Sequence, residues 1–314
     1  MKDYFKFNLK AQTLLPVWIT FMVLIIGPYV YVIVNIKDIL NPLQPSSFFR
    51  FYGILILMFI VAYAIIFYII KLCIEGIEFK EKSFVFDGTF GQYIGKLISG
   101  VFLSLITLGI YSPWFMTKMQ KFFVDNTSYN SNKFEFAGTG GKLFKILFFT
   151  LFLPMVAMMI IMFPLVIKNG SSNPNTISII TNVFSVLIMI PYMYYVYKWM
   201  ANVKFSDYTI RWETNFWDSC KKILLEIFLS VITVGIYYPY AGLRLYKYFM
   251  ERTVAVSENS KKGFGYDLEA GSDFQFLWGQ LLLTIITLGI YYPWACCNIS
   301  SRILGKTFTE EITE

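Results

Sequence analysis

Three nine-residue segments repeat one phrase along the chain: ITLGIYSPW at 106–114, ITVGIYYPY at 232–240 and ITLGIYYPW at 286–294. The first two lie 126 residues apart, and the same offset aligns Tyr68 with Tyr194 and Lys96 with Lys222 without a gap. Self-similarity at a fixed spacing is typical of tandem structural units. The sequence therefore predicts a first unit over residues 1–126, a second over 127–252 and a partial third over 253–314.

The composition around these phrases is that of a membrane protein. The chain has 314 residues, of which 56% are hydrophobic and 15% are charged, and its mean hydropathy is +0.56. A soluble domain averages about 25% charged residues, so one water-soluble core could not hide this much apolar surface. We therefore expect an integral membrane protein.

Several residue types needed for catalysis or metal binding are missing or badly placed. The chain contains no histidine, which excludes histidine triads and paired-histidine zinc sites. Its four cysteines form no CxxC pair, which argues against a zinc site or a disulfide framework. We expect no enzyme, no cofactor and no metal.

The basic residues suggest a lipid partner. The net charge is +7, but the Lys and Arg residues lie beside apolar runs and form no continuous stripe. Anionic lipid head groups suit such a distribution better than nucleic acid does. Whether a protein partner or a second copy binds stays open.

Seven apolar stretches lie between the charged segments, at 11–36, 51–70, 97–117, 146–167, 169–197, 227–243 and 274–301. A helix needs about 20 apolar residues to cross the hydrocarbon core, and most of these stretches are that long. The segments at 37–50 and 168–175 are rich in Pro, Ser and Asn and predict turns. Longer connections with alternating patterns predict small β-hairpins that pair with one another outside the bilayer. The expected fold is an all-α polytopic membrane protein with parallel tandem repeats, broken or re-entrant helices and small cytoplasmic β-hairpins.

The repeated phrase predicts a break in the helix. Pro113 has no N–H to donate, and its ring crowds the carbonyl four residues earlier, which belongs to Gly109. The helix must therefore bend or stop, and unpaired carbonyls at such a break can line a cavity. The alternative is that glycine and proline merely end a helix at the interface. The residues concerned are Thr107, Gly109, Pro113, Thr233, Gly235, Pro239, Thr287, Gly289 and Pro293.

Aromatic and basic residues around each break favour an interfacial depth. Tyrosine and tryptophan are enriched at head-group level, so Tyr111, Trp114, Tyr237, Tyr240, Tyr291 and Trp294 are predicted interfacial anchors. Lys118, Lys121, Arg244 and Lys247 follow and are predicted to contact lipid head groups. Glu226 is the one acidic residue within an apolar stretch, and it is either a functional carboxylate or an ion-pair partner of Lys222.

The distribution of Lys and Arg favours chain reversal at the three phrases. If all seven stretches cross the membrane, the two sides carry 13 and 14 basic residues, and no orientation is preferred. If the three stretches with the phrase turn back, one side carries 24 and the other only Lys37, Arg50 and Lys168. Positive charge collects on the cytoplasmic side, so this topology places the N-terminus and the hairpins in the cytoplasm.

The residues that carry the repeat also resemble a known family. They are Phe84 to Gly88, Ile106 to Trp114, Lys118 to Phe123, Asn126 to Thr127 and Phe134 to Gly140. This pattern resembles the YjgN family of bacterial inner-membrane proteins, which is defined by a domain of unknown function. The second copy departs from it with Tyr240 in place of Trp, and the third lacks the basic pair after its Pro-Trp. The resemblance implies an inner-membrane location and brings no established activity.

Two functions are compatible with this sequence. The first is binding or passage of a small solute or ion through a cavity lined by the broken helices. The alternative is a non-transporting scaffold or accessory subunit that recruits a partner or organises lipid through its hairpins and interfacial aromatics. A polar cavity that reaches the three glycines would favour the first.

Overall fold

The computed structural model describes residues 1–36, 45–169 and 174–312. It is 67% helical, but 15% of the residues lie in strands that form one 11-stranded antiparallel sheet. The expectation of an all-α protein whose strands form only small β-hairpins is therefore wrong. The reason is that each hairpin alone would leave open edges, and pairing every hairpin with its neighbours removes them.

The sheet closes almost into a barrel. Its strand order is β3-β2-β1-β11-β10-β9-β8-β7-β6-β5-β4. The strands are β1 (Asp3–Phe7), β2 (Ile77–Phe79), β3 (Lys82–Ser83), β4 (Val85–Phe86), β5 (Thr127–Tyr129), β6 (Asn132–Phe136), β7 (Val203–Phe205), β8 (Tyr208–Trp212), β9 (Thr253–Val256), β10 (Lys261–Tyr266) and β11 (Thr307–Glu311).

The two end strands, β3 and β4, are separated in sequence only by Phe84. Phe84 extends the β2–β3 pairing by donating its N–H to the Ile77 carbonyl at 3.0 Å, and the Tyr129 hydroxyl of β5 crosses the seam to the Phe79 carbonyl of β2 at 2.8 Å. The chain itself therefore joins the ends of the sheet.

Tight turns set the register of the strands. Lys80 and Glu81 connect β2 to β3 with positive φ at both residues, and Asn130 and Ser131 connect β5 to β6 in the same way. Two positive φ values define the type I′ turn, whose twist matches that of paired strands.

Among the described residues, four helical stretches are long and apolar enough to cross a membrane: Ala11–Val34, Phe49–Glu75, Gly140–Pro164 and Ser178–Met200. They correspond to the apolar stretches predicted at 11–36, 51–70, 146–167 and 169–197. The helices are α1 (Ala11–Phe21), α2 (Gly27–Val34), α3 (Pro45–Glu75), α6 (Gly140–Leu147), α7 (Leu153–Asn169) and α8 (Pro174–Met200). Short π-helical segments, Met22–Ile26 and Phe148–Phe152, connect α1 to α2 and α6 to α7.

These long helices start and finish at the sheet. Strand β1 precedes α1, and α3 ends one residue before β2; β6 precedes α6, and α8 ends shortly before β7. Of the two turns predicted between them, residues 37–44 and 170–173 lie outside the described residues. The flanking residues 45–50, 168–169 and 174–175 are helical, so there the turn prediction is wrong.

Six further helices in the described part of the chain form three helical hairpins. Hairpin 1 is α4 (Phe90–Ile106) with α5 (Ser112–Asp125), hairpin 2 is α9 (Phe216–Ile232) with α10 (Tyr238–Met250), and hairpin 3 is α11 (Ala270–Ile286) with α12 (Tyr292–Gly305).

Each helical hairpin leaves the sheet and returns to it. Phe86, before hairpin 1, pairs with Thr127, after it. Trp212 pairs with Thr253 around hairpin 2, and Tyr266 pairs with Thr307 around hairpin 3. The two helices of a hairpin are therefore antiparallel, with their base at the sheet and their tip at the repeated phrase.

Candidate functional site

The repeated phrase forms the same turn at all three tips. In hairpin 1 the first helix ends at Ile106 with Thr107 as its C-cap, and Leu108 and Gly109 follow with φ of 50° and 88°. The Gly109 N–H bonds the Ser104 carbonyl at 2.7 Å, and the Thr107 hydroxyl accepts the Tyr111 N–H at 3.0 Å. The corresponding residues of the other two hairpins, Thr233, Val234, Gly235, Tyr237, Thr287, Leu288, Gly289 and Tyr291, repeat these dihedral angles and hydrogen bonds.

Glycine and threonine make this turn, and proline begins the next helix. A left-handed conformation suits glycine because it has no Cβ to clash. Pro113, Pro239 and Pro293 each lie in the first turn of the returning helix, where a missing N–H costs nothing. The phrase therefore ends one helix and starts another instead of kinking a continuous one.

The apex residue of each tip is exposed, and the indole N–H groups of Trp18 and Trp278 donate to the Gly289 and Ile236 carbonyls of two tips at 3.0 and 2.9 Å. Leu108 is 93% exposed, Val234 is 90% exposed and Leu288 is 85% exposed. No atom lies within 4 Å of a Cβ placed on Gly109 or Gly235, and Gly289 meets only the side chains of Trp18 and Met22 at 3.6 Å or more. None of the three glycines borders the cavities described below.

The predicted anchors are half-buried and pack against protein side chains, and two of these contacts leave the hairpin: Trp114 meets Phe144 at 5.3 Å, and Tyr240 meets Phe274 at 6.1 Å. The rings of Tyr111 and Trp114 stack at 6.3 Å, and those of Tyr291 and Trp294 stack at 6.0 Å. Tyr237 and Tyr240 meet edge to face at 5.5 Å. The Tyr237 hydroxyl donates to Glu226 at 2.9 Å, so this residue also has a partner inside the protein.

The predicted head-group cations fall into two groups. In hairpin 2, Glu226 is fully buried and contacts Lys222 Nζ at 2.7 Å and Arg244 Nε at 3.2 Å, and Lys247 pairs with Glu251 at 3.6 Å. Glu226 is thus the centre of an ion-pair network. In hairpin 1, Lys118 and Lys121 are exposed and border a cavity of about 450 Å³ together with Lys96.

A larger cavity lies inside the sheet. It has a volume of about 690 Å³, and alternate residues of the strands point into it, as the two-residue period of a strand requires. At mid-height its wall is mainly aromatic: Phe5, Phe79, Phe84, Tyr129, Phe134, Phe205 and Phe264, with Ile210, Ala255 and Thr309. We call these ten residues the lumen wall.

Six of the seven aromatic rings of the lumen wall, all but Phe264, form a continuous chain of contacts, in which Phe79 meets Tyr129 at 5.9 Å. Phe134 stacks on Phe205 at 4.4 Å and on Phe84 at 5.8 Å. Tyr129 contacts Phe84 at 5.0 Å, and Phe5 stacks on Phe79 at 4.6 Å. A wall of this kind presents flat apolar faces to a ligand.

A second cavity continues from the first towards the helices. It has a volume of about 410 Å³ and is lined by Ile74, Ile77, Phe84, Phe123, Val124, Thr127, Phe134, Tyr197, Ala201, Val203, Ile210, Met250 and Thr253. Phe84, Phe134 and Ile210 border both cavities. Three side chains therefore separate the lumen from an apolar space at the helix ends.

The opposite end of the lumen is polar. Asp3, Lys80, Lys262, Glu310 and Glu311 border it there. Lys80 Nζ lies 2.6 Å from Asp3 Oδ2, and this hydrogen bond raises the pKa of the Lys80 ammonium. The cavity thus runs from a charged rim through an aromatic middle to an apolar end.

Sequence reasoning missed the lumen wall because it looked for a site at the helix breaks. The signal was present in the repeated aromatic-x-aromatic strands, FKF at 5–7, FVF at 84–86 and FEF at 134–136. Their alternation shows which side chains share a face, but the closure that turns this face inward depends on the long-range pairing of all 11 strands. Among the residues described, no cluster of His, Cys, Asp or Glu is placed to hold a metal ion.

These features define a membrane protein with four apolar helices, three helical hairpins and a nearly closed sheet around an apolar lumen. The sequence profile of the DUF898 family, bacterial proteins of unknown function, matches residues 81–254, more than half of the chain. The chain belongs to this family, which agrees with the resemblance seen in the sequence.

Three curated relatives share its sequence in part. The inner membrane protein YjgN of Escherichia coli K12 is 38% identical over 80 residues, which is 25% of this chain and 20% of that protein. The protein of the same name from Escherichia coli O157:H7 is 37% identical over 71 residues, or 23% and 18% of the two chains. That of Salmonella typhimurium LT2 is 38% identical over 64 residues, or 20% and 16%. The chain thus spans about a fifth of the length of these relatives, and no solved structure matches it.

Proposed function

We propose that this protein is a bacterial inner-membrane binding protein that takes an apolar or amphipathic molecule from the bilayer into the lumen of its sheet. The observation that carries this proposal is the aromatic lumen of about 690 Å³ with an apolar cavity at its helix end. Small-molecule sites have volumes of about 300–1,000 Å³ and mostly apolar walls, so the lumen is the right size for such a ligand.

The proposed topology puts the lumen next to the membrane. The four long helices cross the bilayer, and the three hairpins enter it from the side of the sheet and turn back. The exposed apolar tips support this insertion, because Leu108, Val234 and Leu288 would otherwise face water. With 24 of 27 basic residues on the sheet side, the sheet and the N-terminus face the cytoplasm.

The gradient along the lumen favours an amphipathic ligand. Its apolar part would lie against the lumen wall, and its polar part would reach the charged rim at Lys80 and Lys262. The apolar cavity near Ile74, Tyr197 and Met250 supplies an entry at the helix ends. The role is one of binding, with no bond made or broken.

This proposal moves the binding site of the solute hypothesis from the helix breaks to the sheet. Gly109 and Gly235 have no neighbours to form a cavity with. The scaffold alternative needs no ligand in the lumen, so occupancy of the lumen separates the two functions.

Photo-crosslinking tests the proposal. A diazirine-bearing fatty acid is added to membranes that contain the full chain, and the labelled peptides are mapped by mass spectrometry. We expect labelling of the lumen wall, for example at Phe134 and Phe205, in addition to the spans.

A pair of variants makes the test specific. Ala255→Trp fills the lumen, because Ala255 is buried in its wall, and should abolish the lumen labels. Val85→Trp adds the same ring at a half-exposed outward position and should leave them unchanged. Labels confined to the long helices and hairpin tips in the wild-type protein would rule out the lumen as the site.

A further inference from the structure

The three hairpins differ in the residues that lie between their two helices at equivalent positions. In hairpin 2 the buried carboxylate of Glu226 lies between the helices and contacts Lys222, Arg244 and the Tyr237 hydroxyl. In hairpin 3 the equivalent residue is Gln280, whose Oε1 accepts bonds from Tyr291 at 3.3 Å and Asn298 at 3.1 Å. The first arrangement is an ion-pair network and the second is a neutral one.

Hairpin 1 has the cations of hairpin 2 without its anion. Lys96, Lys118 and Lys121 occupy the positions of Lys222, Arg244 and Lys247, but Gly100 replaces Glu226. The space is filled by Phe115, whose ring would clash with any Cβ on Gly100, whereas hairpins 2 and 3 have Ala241 and Ala295 there. The ring of Phe115 therefore occupies the space that a carboxylate side chain at position 100 would need.

The three lysines surround a cavity and form no ion pair within the described residues. Lys96, Lys118 and Lys121 line a space of about 450 Å³ together with Ser99, Asp125 and Asn126. Asp125 contributes one negative charge, and its Oδ1 accepts the Phe136 N–H at 2.8 Å. The cavity retains a net charge of +2, which suits an anion with several acceptor oxygens.

The position of this cavity points to a lipid. Lys96 and Ser99 are followed on the same face of α4 by Leu103 and Ile106, at helical spacing, and both are exposed. A head group at the lysines would leave its acyl chains along this apolar stripe towards the tip. A free anion would gain nothing from the stripe.

We propose that hairpin 1 binds the phosphate of an anionic phospholipid head group between Lys96, Lys118 and Lys121, and that hairpins 2 and 3 do not. The proposal depends on the membrane location of the chain and not on a ligand in the lumen, so failure of one leaves the other intact.

Binding is measured on the purified full chain in detergent by native mass spectrometry with short-chain phosphatidylglycerol. Lys121→Gln in hairpin 1 should weaken the affinity about tenfold, the loss of one charge-assisted contact. Lys247→Gln removes the equivalent lysine of hairpin 2, which already pairs with Glu251, and should change the affinity less than twofold. Equal losses in the two variants would show general charge attraction and overturn the proposal.

A double variant transplants the arrangement of hairpin 2. Gly100→Glu with Phe115→Ala places a carboxylate among the lysines and removes the ring that would clash with it. This variant should fold, as its melting temperature will show, and should lose phosphatidylglycerol binding. Unchanged binding in the folded variant would contradict the site.

Competition identifies the source of the phosphate. Inorganic phosphate and phosphatidylcholine are titrated against bound phosphatidylglycerol. We expect displacement by inorganic phosphate only at concentrations at least a hundredfold higher, and weak displacement by phosphatidylcholine, whose quaternary ammonium the lysines repel. Displacement by inorganic phosphate at the same concentration as the lipid would assign the cavity to a free anion.

Discussion

Hairpins 1 and 2 share one backbone and differ in what lies between their helices. Both end on the same Thr-x-Gly turn, with φ of 50° and 51° at Leu108 and Val234. Hairpin 2 encloses a buried carboxylate with two cations, whereas hairpin 1 encloses the ring of Phe115 and leaves its lysines at the surface. The two hairpins therefore have the same turn, whereas the residues between their helices differ in charge and polarity.

Hairpin 3 sharpens this comparison because it places its buried carboxylate at the base. Asp273 is fully buried and contacts Arg302 Nε and Lys306 Nζ, each at 2.7 Å. Asp273→Asn would remove the buried carboxylate that both cations share and leave Lys306 only Glu269 at 3.3 Å, and we expect the free energy of unfolding to fall by about 3 kcal/mol. Chemical denaturation in detergent measures this loss, which should exceed the loss caused by Glu226→Gln in hairpin 2.

The same carboxylate makes a prediction about pH. Burial acts to raise the pKa of Asp273, but hydrogen bonds from Lys306, Arg302 and the Glu269 N–H outweigh it and hold this pKa below its usual value. A lowered pKa adds stability above the unfolded-state value of about 4, and this stability is lost as the pH falls through the folded-state pKa. The difference in free energy of unfolding between the wild-type protein and Asp273→Asn should therefore become smaller below about pH 4. If this difference in free energy of unfolding stays constant down to pH 3, the charge of the Asp273 carboxylate does not stabilise the fold.

In hairpin 2 itself, Glu226→Gln tests whether the ion-pair network stabilises the fold. Glu226 has no exposed surface, but Lys222 and Arg244 keep 22% and 32% of their side chains in contact with solvent. Solvent can therefore compensate part of the loss, and we expect a destabilisation of about 2 kcal/mol.

The control for this substitution is Glu251→Gln. Glu251 pairs with Lys247 on the surface of the same hairpin, four residues apart, and its removal should cost about 0.3–0.5 kcal/mol. If the two variants lose equal stability, the buried network has no special energetic role.

The tip turns were within reach of sequence reasoning, and the lumen was not. Gly109 and Pro113 carry local backbone constraints, so their spacing alone predicts that the helix stops. Phe134 and Phe205 become neighbours only because β6 pairs with β7 across the whole of α6, π-helix, α7 and α8. Such pairing is set by tertiary packing, and no local pattern reports it.

The ion-pair network of hairpin 2 could be predicted only in part from the sequence. Lys222 and Glu226 are four residues apart, so their contact followed from helix geometry. Arg244 joins them from the other helix, and this required the chain reversal at Gly235 to be known. The exchange of Gly100 and Phe115 for Glu226 and Ala241 is visible in the aligned repeats, but its meaning depends on the ring lying where the carboxylate would be.

The turn that hairpins 1 and 2 share gives the most direct test of their likeness. Gly109→Ala and Gly235→Ala each place a Cβ at φ near +85°, which costs about 1–2 kcal/mol for an L-residue. Nothing lies within 4 Å of the new methyl group in either case, so the cost is conformational and should be equal in the two hairpins.

Gly242→Ala is the matched control, because Gly242 also has open space around it but lies inside α10 without a positive φ. This change should stabilise the protein by about 0.5–1 kcal/mol, since alanine favours a helix interior. Chemical denaturation of the three variants measures the loss of unfolding free energy in the turn variants and the gain in Gly242→Ala. If the losses for Gly109→Ala and Gly235→Ala differ, the two turns are not energetically alike.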